Sequence, residues 1–129
     1  MNFPDDFEYH KEHTWAKVDG NKAQIGITDY AQDSLGDVVY IDLPEIDSEI
    51  SVNNEISEIE STKATSSVIA PVSGTVVEVN DELEESPEVI NEDPYGKGWI
   101  LIVEMSDASE LDELMDASTY EKFVETEAK

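Results

Sequence analysis

Short segments rich in Val, Ile, Thr and aromatic residues, separated by Gly, Pro, Asn and Asp, fill the first four-fifths of this sequence. Such alternation is typical of short β-strands joined by turns. Residues 14–18 and 23–27 flank the Asp19-Gly20 pair, which predicts a hairpin that turns there. The sequence therefore predicts a mostly β fold. Its 129 residues suit one domain better than two, with a β core over about residues 9–105.

One strand pattern occurs twice in the sequence. Residues 36–41 read Gly-Asp-Val-Val-Tyr-Ile, and residues 74–79 read Gly-Thr-Val-Val-Glu-Val. We interpret the pair as a duplicated half whose two copies form facing sheets, which predicts a flattened β-sandwich or barrel. Chance similarity stays the alternative, because many strands begin with Gly followed by β-branched residues.

Local signals predict three further features of this body. Thr28 can cap a short helix over residues 29–35, which Gly36 would end. Residues 99–103 have no polar face, so we expect a strand buried in the centre of a sheet. Gly74 is assigned to a turn, since it ends a Pro-Val-Ser-Gly sequence.

The pattern changes near the C-terminus. From Ser106 onward the apolar residues take helical spacing, which predicts a C-terminal helical segment at about residues 107–125 that covers an open end or face of the sandwich. Ser109, with Asp112 three residues later, resembles a capping box. We expect the chain to fray from Glu125 onward.

The charge of the chain is strongly one-sided. It has 32 Asp and Glu against 7 Lys, a formal net charge of −25, and neither Arg nor Cys. Nucleic acids and anionic membranes attract proteins mainly through Lys and Arg, so we expect neither as a partner. Without cysteine the chain has no zinc finger, iron–sulfur site or dithiol of its own, and any redox sulfur must be imported. With no targeting signal or long apolar run, it is expected to be soluble and cytoplasmic.

No self-sufficient active site emerges from the sequence. His10 and His13 are the two histidines, and they offer too few ligands for a zinc site. Acidic residues are so frequent that no pair stands out as an acid–base dyad. We find neither a phosphate-binding Gly loop nor a Gly-x-Ser-x-Gly elbow. We therefore expect no metal site and a non-catalytic carrier, adaptor or structural protein.

Lys63 is the one residue with an unusual position. It is the only cation between Lys22 and Lys97, a stretch with eighteen acidic residues, and it lies between the strand-like runs 55–59 and 67–70. One reading is a solvated lysine at a hairpin tip, where each exposed ion pair contributes ~0–1 kcal/mol. The other is a modification site, because a small tip exposes the amine and a flexible stem can carry an attached group. Spacing alone does not choose between them.

A resemblance to a known family does bear on this choice. Matching segments occur in the right order and spacing at residues 9–15, 25–32, 35–40, 43–44, 60–64, 70–74, 77–80, 90–91 and 94–99. Among them, residues 60–64 read Glu-Ser-Thr-Lys-Ala. On these segments the chain resembles the H protein of the glycine cleavage system, a small lipoate carrier with a lipoyl/biotinyl-carrier-like fold. The C-terminal helices match only in character.

The resemblance implies that Lys63 carries covalent lipoate. Glu60, Ser61, Thr62 and Ala64 would be the tip residues recognised by a lipoate ligase or an octanoyl or lipoyl transferase. In the family, a pyridoxal-phosphate-dependent glycine decarboxylase passes an aminomethyl group to the lipoyl disulfide. A tetrahydrofolate-dependent aminomethyltransferase takes the one-carbon unit, and the FAD enzyme dihydrolipoamide dehydrogenase reoxidises the dithiol. These are the implied partners of a monomeric carrier.

Two positions depart from the family pattern. Members commonly have an acid just before the tryptophan of the first motif and an Asp four residues after the lipoyl lysine, where this chain has Thr14 and Ser67. In the family these positions help line the cleft of the loaded arm, so Thr14, Ser67 and Glu12 are candidate cleft residues. Glu12 could supply the carboxylate that a cationic amine requires. The two losses also fit an alternative function, a relay that hands lipoate to other enzymes.

Two further alternatives share the tip lysine. In a biotin carrier the modified lysine usually lies between methionines, whereas Thr62 and Ala64 flank Lys63. That difference argues against biotin. The other alternative is an unmodified acidic adaptor, which only chemistry on the protein can exclude.

Overall fold

A computed structural model describes residues 2–127. Its strands are β1 (Glu8–Tyr9), β2 (Thr14–Asp19), β3 (Lys22–Ile27), β4 (Val38–Asp42), β5 (Glu49–Ile50), β6 (Glu55–Ser61), β7 (Thr65–Ile69), β8 (Gly74–Val79) and β9 (Leu101–Met105). Its helices are α1 (Asp29–Leu35), α2 (Glu82–Glu85), α3 (Val89–Glu92), a 3-10 helix (Ala108–Glu113) and α4 (Ala117–Glu127). No helix within residues 2–127 has the length and apolar character to cross a membrane.

The strands form two antiparallel sheets. The larger sheet has the order β1-β2-β3-β9-β8-β5, and the smaller has the order β4-β6-β7, so β4 and β7 are its edge strands. Buried residues of both sheets pack into one cluster, called here the aliphatic core, whose members include Ile25, Ile41, Ile59, Val68, Val76 and Leu101. The predicted mostly β, sandwich-like fold with short helices is confirmed.

Two local predictions are confirmed in detail. β2 and β3 pair as a hairpin whose turn contains Gly20, with φ of +65°. The Thr28 hydroxyl caps α1 by accepting a hydrogen bond from the N–H of Ala31 at 3.2 Å. Gly36 ends the helix with φ of +80° and donates its N–H to the carbonyl of Gln32 at 3.1 Å. Turn and cap residues thus act where their local chemistry predicts.

The repeated strand pattern is present in the structure, but the prediction for Gly74 differs from what is observed. Its two copies lie in different sheets, because β4 belongs to the smaller sheet and β8 to the larger. The assignment of Gly74 to a turn is wrong, since Gly74 is the first residue of β8. A Cβ atom there would lie 2.2 Å from the carbonyl oxygen of Glu104. This position needs glycine because the β9 backbone passes too close for a side chain.

The final strand is central, as predicted, but it begins later. β9 lies between β3 and β8 and starts at Leu101 rather than at residue 99. Leu101 and Val103 are buried, and Glu104 is exposed. The strand therefore has one polar position beyond the apolar run.

The C-terminal segment is helical, with one correction. Asp107, not Ser109, caps the 3-10 helix, because its carboxylate accepts the N–H of Ser109 at 3.1 Å. α4 includes residues 125–127, where we expected fraying to begin, and residues 128–129 lie outside the described residues. The segment covers the edge of the larger sheet, where Met115 and Tyr9 of β1 exchange two backbone hydrogen bonds of 2.8 Å.

α4 closes a second buried group, called here the aromatic cluster. Its buried members are Phe7, Tyr9, Trp15, Ala117, Tyr120 and Val124. The rings of Tyr9 and Tyr120 stack with centroids 4.7 Å apart, which joins β1 to α4. Trp15 is fully buried, and Trp99 packs against the cluster, so both tryptophans contribute to packing.

Candidate functional site

The tip of the β6–β7 hairpin carries Lys63, between Thr62 and Ala64. The N–H of Ser61 donates to the carbonyl of Ala64 at 2.8 Å. The Ser61 hydroxyl accepts the N–H groups of Lys63 and Ala64 at 3.3 and 3.0 Å. One serine side chain therefore fixes the turn, which explains how the tip forms without an Asn-Gly pair.

The tip is fastened to the connection between α1 and β4. The N–H of Thr62 donates to the carbonyl of Asp37 at 3.0 Å. The Lys63 stem passes over Gly36, where a Cβ atom would lie 3.3 Å from the lysine Cε. Gly36 has φ of +80° and ψ of −158°, a conformation that is essentially restricted to glycine. Gly36 thus provides both the bend and the space that the lysine uses.

The amine of Lys63 is open to solvent. Lys63 is exposed, and among residues 2–127 no carboxylate oxygen lies within 4.0 Å of its Nζ. The neighbouring ion pairs considered for a purely solvated lysine are therefore not formed in the part of the chain that the structure describes. The lysine is available for acylation.

A groove of about 280 Å³ lies beside this tip, between α1 and the β6–β7 hairpin. This is close to the lower size of small-molecule pockets, roughly 300 Å³. Its aliphatic lining consists of Ile27, Ala31, Leu35, Ile59, Ala64 and Val68. Ala64 belongs both to the tip and to the groove lining, so a group attached to Lys63 would begin at the rim of the groove.

The structure separates the three candidate cleft residues. Glu12 and Ser67 both line the groove, and Glu12 is the one carboxylate among its lining residues. Thr14 is not part of that lining. Its side chain is buried, and its hydroxyl donates to the carbonyl of Ile69 at 2.9 Å, which ties β2 to β7.

His13 is a groove residue to which sequence reasoning gave no role beyond a poor metal ligand. Its Nδ1 lies 2.7 Å from the Tyr120 hydroxyl, and its Nε2 lies 2.9 Å from Oε2 of Glu127. Both partners belong to α4, 107 or more positions along the chain, so no local pattern could have revealed them. Within residues 2–127 no three His, Cys, Asp or Glu side chains are grouped to hold a metal.

The environment of His13 favours its neutral form. Burial lowers the pKa of His13, and the carboxylate of Glu127 opposes this only in part. Burial also raises the pKa of the Tyr120 phenol well above its ordinary range. At neutral pH the His13 side chain in this wall is therefore an uncharged imidazole, which is held from behind by the Tyr120 phenol and the Glu127 carboxylate.

Known proteins resemble this chain over nearly its full length. A family model described as Glycine cleavage H-protein matches residues 7–127. The glycine cleavage system H protein of Carboxydothermus hydrogenoformans is 56% identical, covering 98% of this chain and 97% of its own. That of Bacillus subtilis is 50% identical, covering 97% and 98%. The crystal structure of the Mycobacterium marinum H protein matches with a TM-score of 0.85 at 34% identity, covering 98% of this chain and 100% of its own.

Proposed function

The chain belongs to the glycine cleavage H-protein family, a family of carrier subunits, and on that premise we propose that Lys63 is the residue that carries lipoate. The observation that carries this proposal is the geometry of the tip. An exposed amine lies on a turn fixed by Ser61, without a close ion pair among residues 2–127, beside a groove of about 280 Å³.

The residues around Lys63 fit such a group. Acylation of the exposed amine would form an amide and change the formal net charge from −25 to −26. When bound, lipoate supplies the disulfide and dithiol chemistry that a chain without cysteine lacks. The apolar side chains of Ile27, Leu35 and Val68 would hold the aliphatic part of an arm lying in the groove. Glu12 and Ser67 offer acceptors for a polar end group.

The proposed function is to carry the aminomethyl group of glycine between enzymes. Its proposed partners are the pyridoxal-phosphate-dependent glycine decarboxylase, the tetrahydrofolate-dependent aminomethyltransferase and the FAD-dependent dihydrolipoamide dehydrogenase. A tethered arm gives each of these sites a high effective concentration of the cofactor. A lipoate ligase or an octanoyl or lipoyl transferase would recognise the tip through Glu60, Ser61, Thr62 and Ala64.

Intact mass with peptide mapping tests the attachment. The full chain is produced in cells given lipoate and a lipoate-attaching enzyme, together with Lys63→Ala and the control Lys97→Ala, which removes another exposed lysine. We expect one lipoyl increment on the peptide containing Lys63, lost only in Lys63→Ala. If Lys63 stays bare while a known lipoyl carrier in the same cells is modified, the proposal is wrong.

A lipoate relay remains the second candidate, and one observation favours it. Ser67 lines the groove at the position where family members commonly have an Asp, so the groove has one lining carboxylate fewer, with Glu12 alone, to receive a cationic end group. An assay with purified glycine decarboxylase and the lipoylated chain distinguishes the two functions. A carrier in glycine cleavage supports the exchange of the glycine carboxyl group with bicarbonate. A relay instead supports transfer of lipoate to another apoenzyme and leaves this exchange at its background rate.

A further inference from the structure

A continuous chain of hydrogen bonds joins the end of α4 to the start of α1 through the groove wall. Glu127 Oε2 lies 2.9 Å from His13 Nε2, and His13 Nδ1 lies 2.7 Å from the Tyr120 hydroxyl. That hydroxyl lies 2.8 Å from Oγ1 of Thr28. Thr28 Oγ1 in turn accepts the N–H of Ala31 at 3.2 Å. The chain thus passes from the C-terminal helix, through the groove residue His13 and the buried Tyr120 hydroxyl, to the cap of α1.

The backbone holds His13 in place as well. Its φ is +70°, a left-handed conformation that is uncommon for residues other than glycine. Its N–H donates to the carbonyl of His10 at 2.9 Å, and its carbonyl accepts the N–H of Thr28 at 3.1 Å. The ring therefore projects from a fixed turn, so a change in its hydrogen bonds is transmitted to the residues that it contacts.

The chain of hydrogen bonds has one consistent arrangement of protons when His13 is neutral. A carboxylate only accepts, so His13 Nε2 carries the proton and donates to Glu127. Nδ1 is then an acceptor, and the Tyr120 hydroxyl donates to it. The Thr28 hydroxyl donates to the Tyr120 oxygen. Every donor in the series has an acceptor.

Protonation of His13 reverses this arrangement. Imidazolium is a donor at both nitrogens, so Nδ1 must donate to the Tyr120 oxygen. The Tyr120 proton then turns towards Thr28 Oγ1, which already accepts the N–H of Ala31. The hydroxyl proton of Thr28, a fully buried residue, is left without another acceptor among the hydrogen bonds of residues 2–127. An unmatched buried donor of this kind is destabilising.

We propose that Tyr120 and Glu127 are positioning residues for the groove, which hold the His13 ring in its wall, and that protonation of His13 breaks the link that Tyr120 makes between α4 and the cap of α1. The proposal goes beyond lipoyl attachment. It concerns the groove, α4 and the cap of α1 alone, so it holds or fails whether or not Lys63 is modified.

Other groups that face His13 act on its charge without reversing this conclusion. Glu12 in its own turn favours imidazolium, and His10 disfavours it. From α1, the Tyr30 ring lies 4.8 Å away, and from α4 the Phe123 ring lies 6.0 Å away, which adds apolar cover. Burial has the largest effect on the pKa of His13 and lowers it.

The test is an NMR titration of the unmodified full chain. The ring resonances of His13 report its pKa, and amide hydrogen exchange reports the protection of residues 121–127. The variants are Glu127→Gln and Tyr120→Phe. Glu125→Gln is the matched control, because Glu125 is an exposed carboxylate on the same helix without a hydrogen bond to His13.

The two variants are expected to act in opposite directions. Glu127→Gln removes a carboxylate and lowers the pKa of His13, whereas Tyr120→Phe removes a donor to the neutral ring and raises it. In the wild type, protection of residues 121–127, corrected for intrinsic exchange, falls about tenfold as His13 becomes protonated. Tyr120→Phe shows a smaller fall, because it lacks the hydroxyl whose hydrogen bonds conflict. Glu127→Gln shows at least the wild-type fall, because the conflict remains and the carboxylate that pairs with imidazolium is lost. Glu125→Gln behaves as the wild type.

Two results would overturn the proposal. One is a His13 titration that leaves the protection of residues 121–127 unchanged. The other is a shift of the His13 pKa in the same direction in Glu127→Gln and Tyr120→Phe. If Tyr120→Phe does not fold, the proposal is still tested by the protection of residues 121–127. That protection is measured in the wild type, in Glu127→Gln and in Glu125→Gln. Mass analysis of Lys63 judges the proposed function separately.

Discussion

The aliphatic core and the aromatic cluster differ in how their residues are held. The aliphatic core contains apolar side chains of both sheets and no ionisable group, so its stabilisation is non-directional. In the aromatic cluster, polar atoms of the rings are hydrogen-bonded. The Tyr9 hydroxyl donates to the carbonyl of Pro4 at 2.7 Å, and Trp15 Nε1 donates to that of Pro94 at 3.0 Å. We expect the first group to set global stability and the second to connect α4 with the groove.

The largest expected effect is in the aliphatic core. Ile25 is fully buried, and Ile25→Ala should lower the free energy of unfolding by about 3 kcal/mol, since it removes buried methyl groups and leaves a cavity. The control Ile46→Ala, at a residue that is 53% exposed, should change it by less than about 0.5 kcal/mol. Urea denaturation measures the free energy of unfolding of both variants. Equal losses in the two variants would contradict the role of the aliphatic core in global stability.

A smaller loss of stability is expected at Gly26, where the Trp15 ring of the aromatic cluster packs against the backbone of β3. A Cβ atom on Gly26 would lie 2.6 Å from Cζ2 of the Trp15 ring, so Gly26→Ala must displace that ring. We expect a loss of about 2 kcal/mol in the free energy of unfolding. A double-mutant cycle with Trp15→Phe tests the cause, because the smaller ring should reduce the cost of Gly26→Ala. An unchanged cost in that background would exclude the Trp15 contact as the reason.

Tyr120→Phe should have a smaller and more local effect. It removes the hydroxyl that lies within 2.8 Å of both His13 Nδ1 and Thr28 Oγ1, which should cost about 1 kcal/mol. Tyr40→Phe is the control, because Tyr40 is 51% exposed. Hydrogen exchange should show faster opening of α4 in Tyr120→Phe alone. Uniformly faster exchange over both sheets would indicate that the substitution weakens the aliphatic core as well as the aromatic cluster.

The smallest expected effect is the dependence of stability on pH. The pKa of His13 in the folded chain is lowered from 6.5 by burial, so below about pH 6.5 the unfolded chain binds a proton that the folded chain does not. Stability should therefore fall as the pH drops through 6.5 and level off below the folded pKa. Urea midpoints measured between about pH 7.5 and pH 5.5 should show this slope, and His13→Gln should reduce it. An identical slope in the variant would contradict the assignment.

The sequence predicts features of this molecule that depend on near neighbours. The hairpin at Gly20, the cap at Thr28 and the end of α1 at Gly36 follow from local backbone chemistry, and all three are present. The position of Lys63 between two strands could also be predicted, because the strand-like runs lie directly before and after it in the sequence. In each case the residues that decide the conformation lie within a few positions of one another.

Features that depend on distant parts of the chain were not predictable. The role of Gly74 depends on the backbone of Glu104, which the sequence around the glycine does not contain. His13 is positioned by Tyr120, 107 residues away. The capping residue of the 3-10 helix was misplaced for a subtler reason. Ser109 itself donates to the Asp107 carboxylate, and sequence spacing does not distinguish a donor from a cap.

The edge strand β4 of the smaller sheet has a consequence for self-association. β4 ends that sheet, and its Val39 and Tyr40 are 53% and 51% exposed. Unpaired edge strands with exposed apolar residues are templates for intermolecular ladders and fibres. Each copy of the chain brings a formal charge of −25, so repulsion opposes this pairing. Because salt shortens the range of that repulsion, we expect the colloidal stability of the protein to fall as the ionic strength rises.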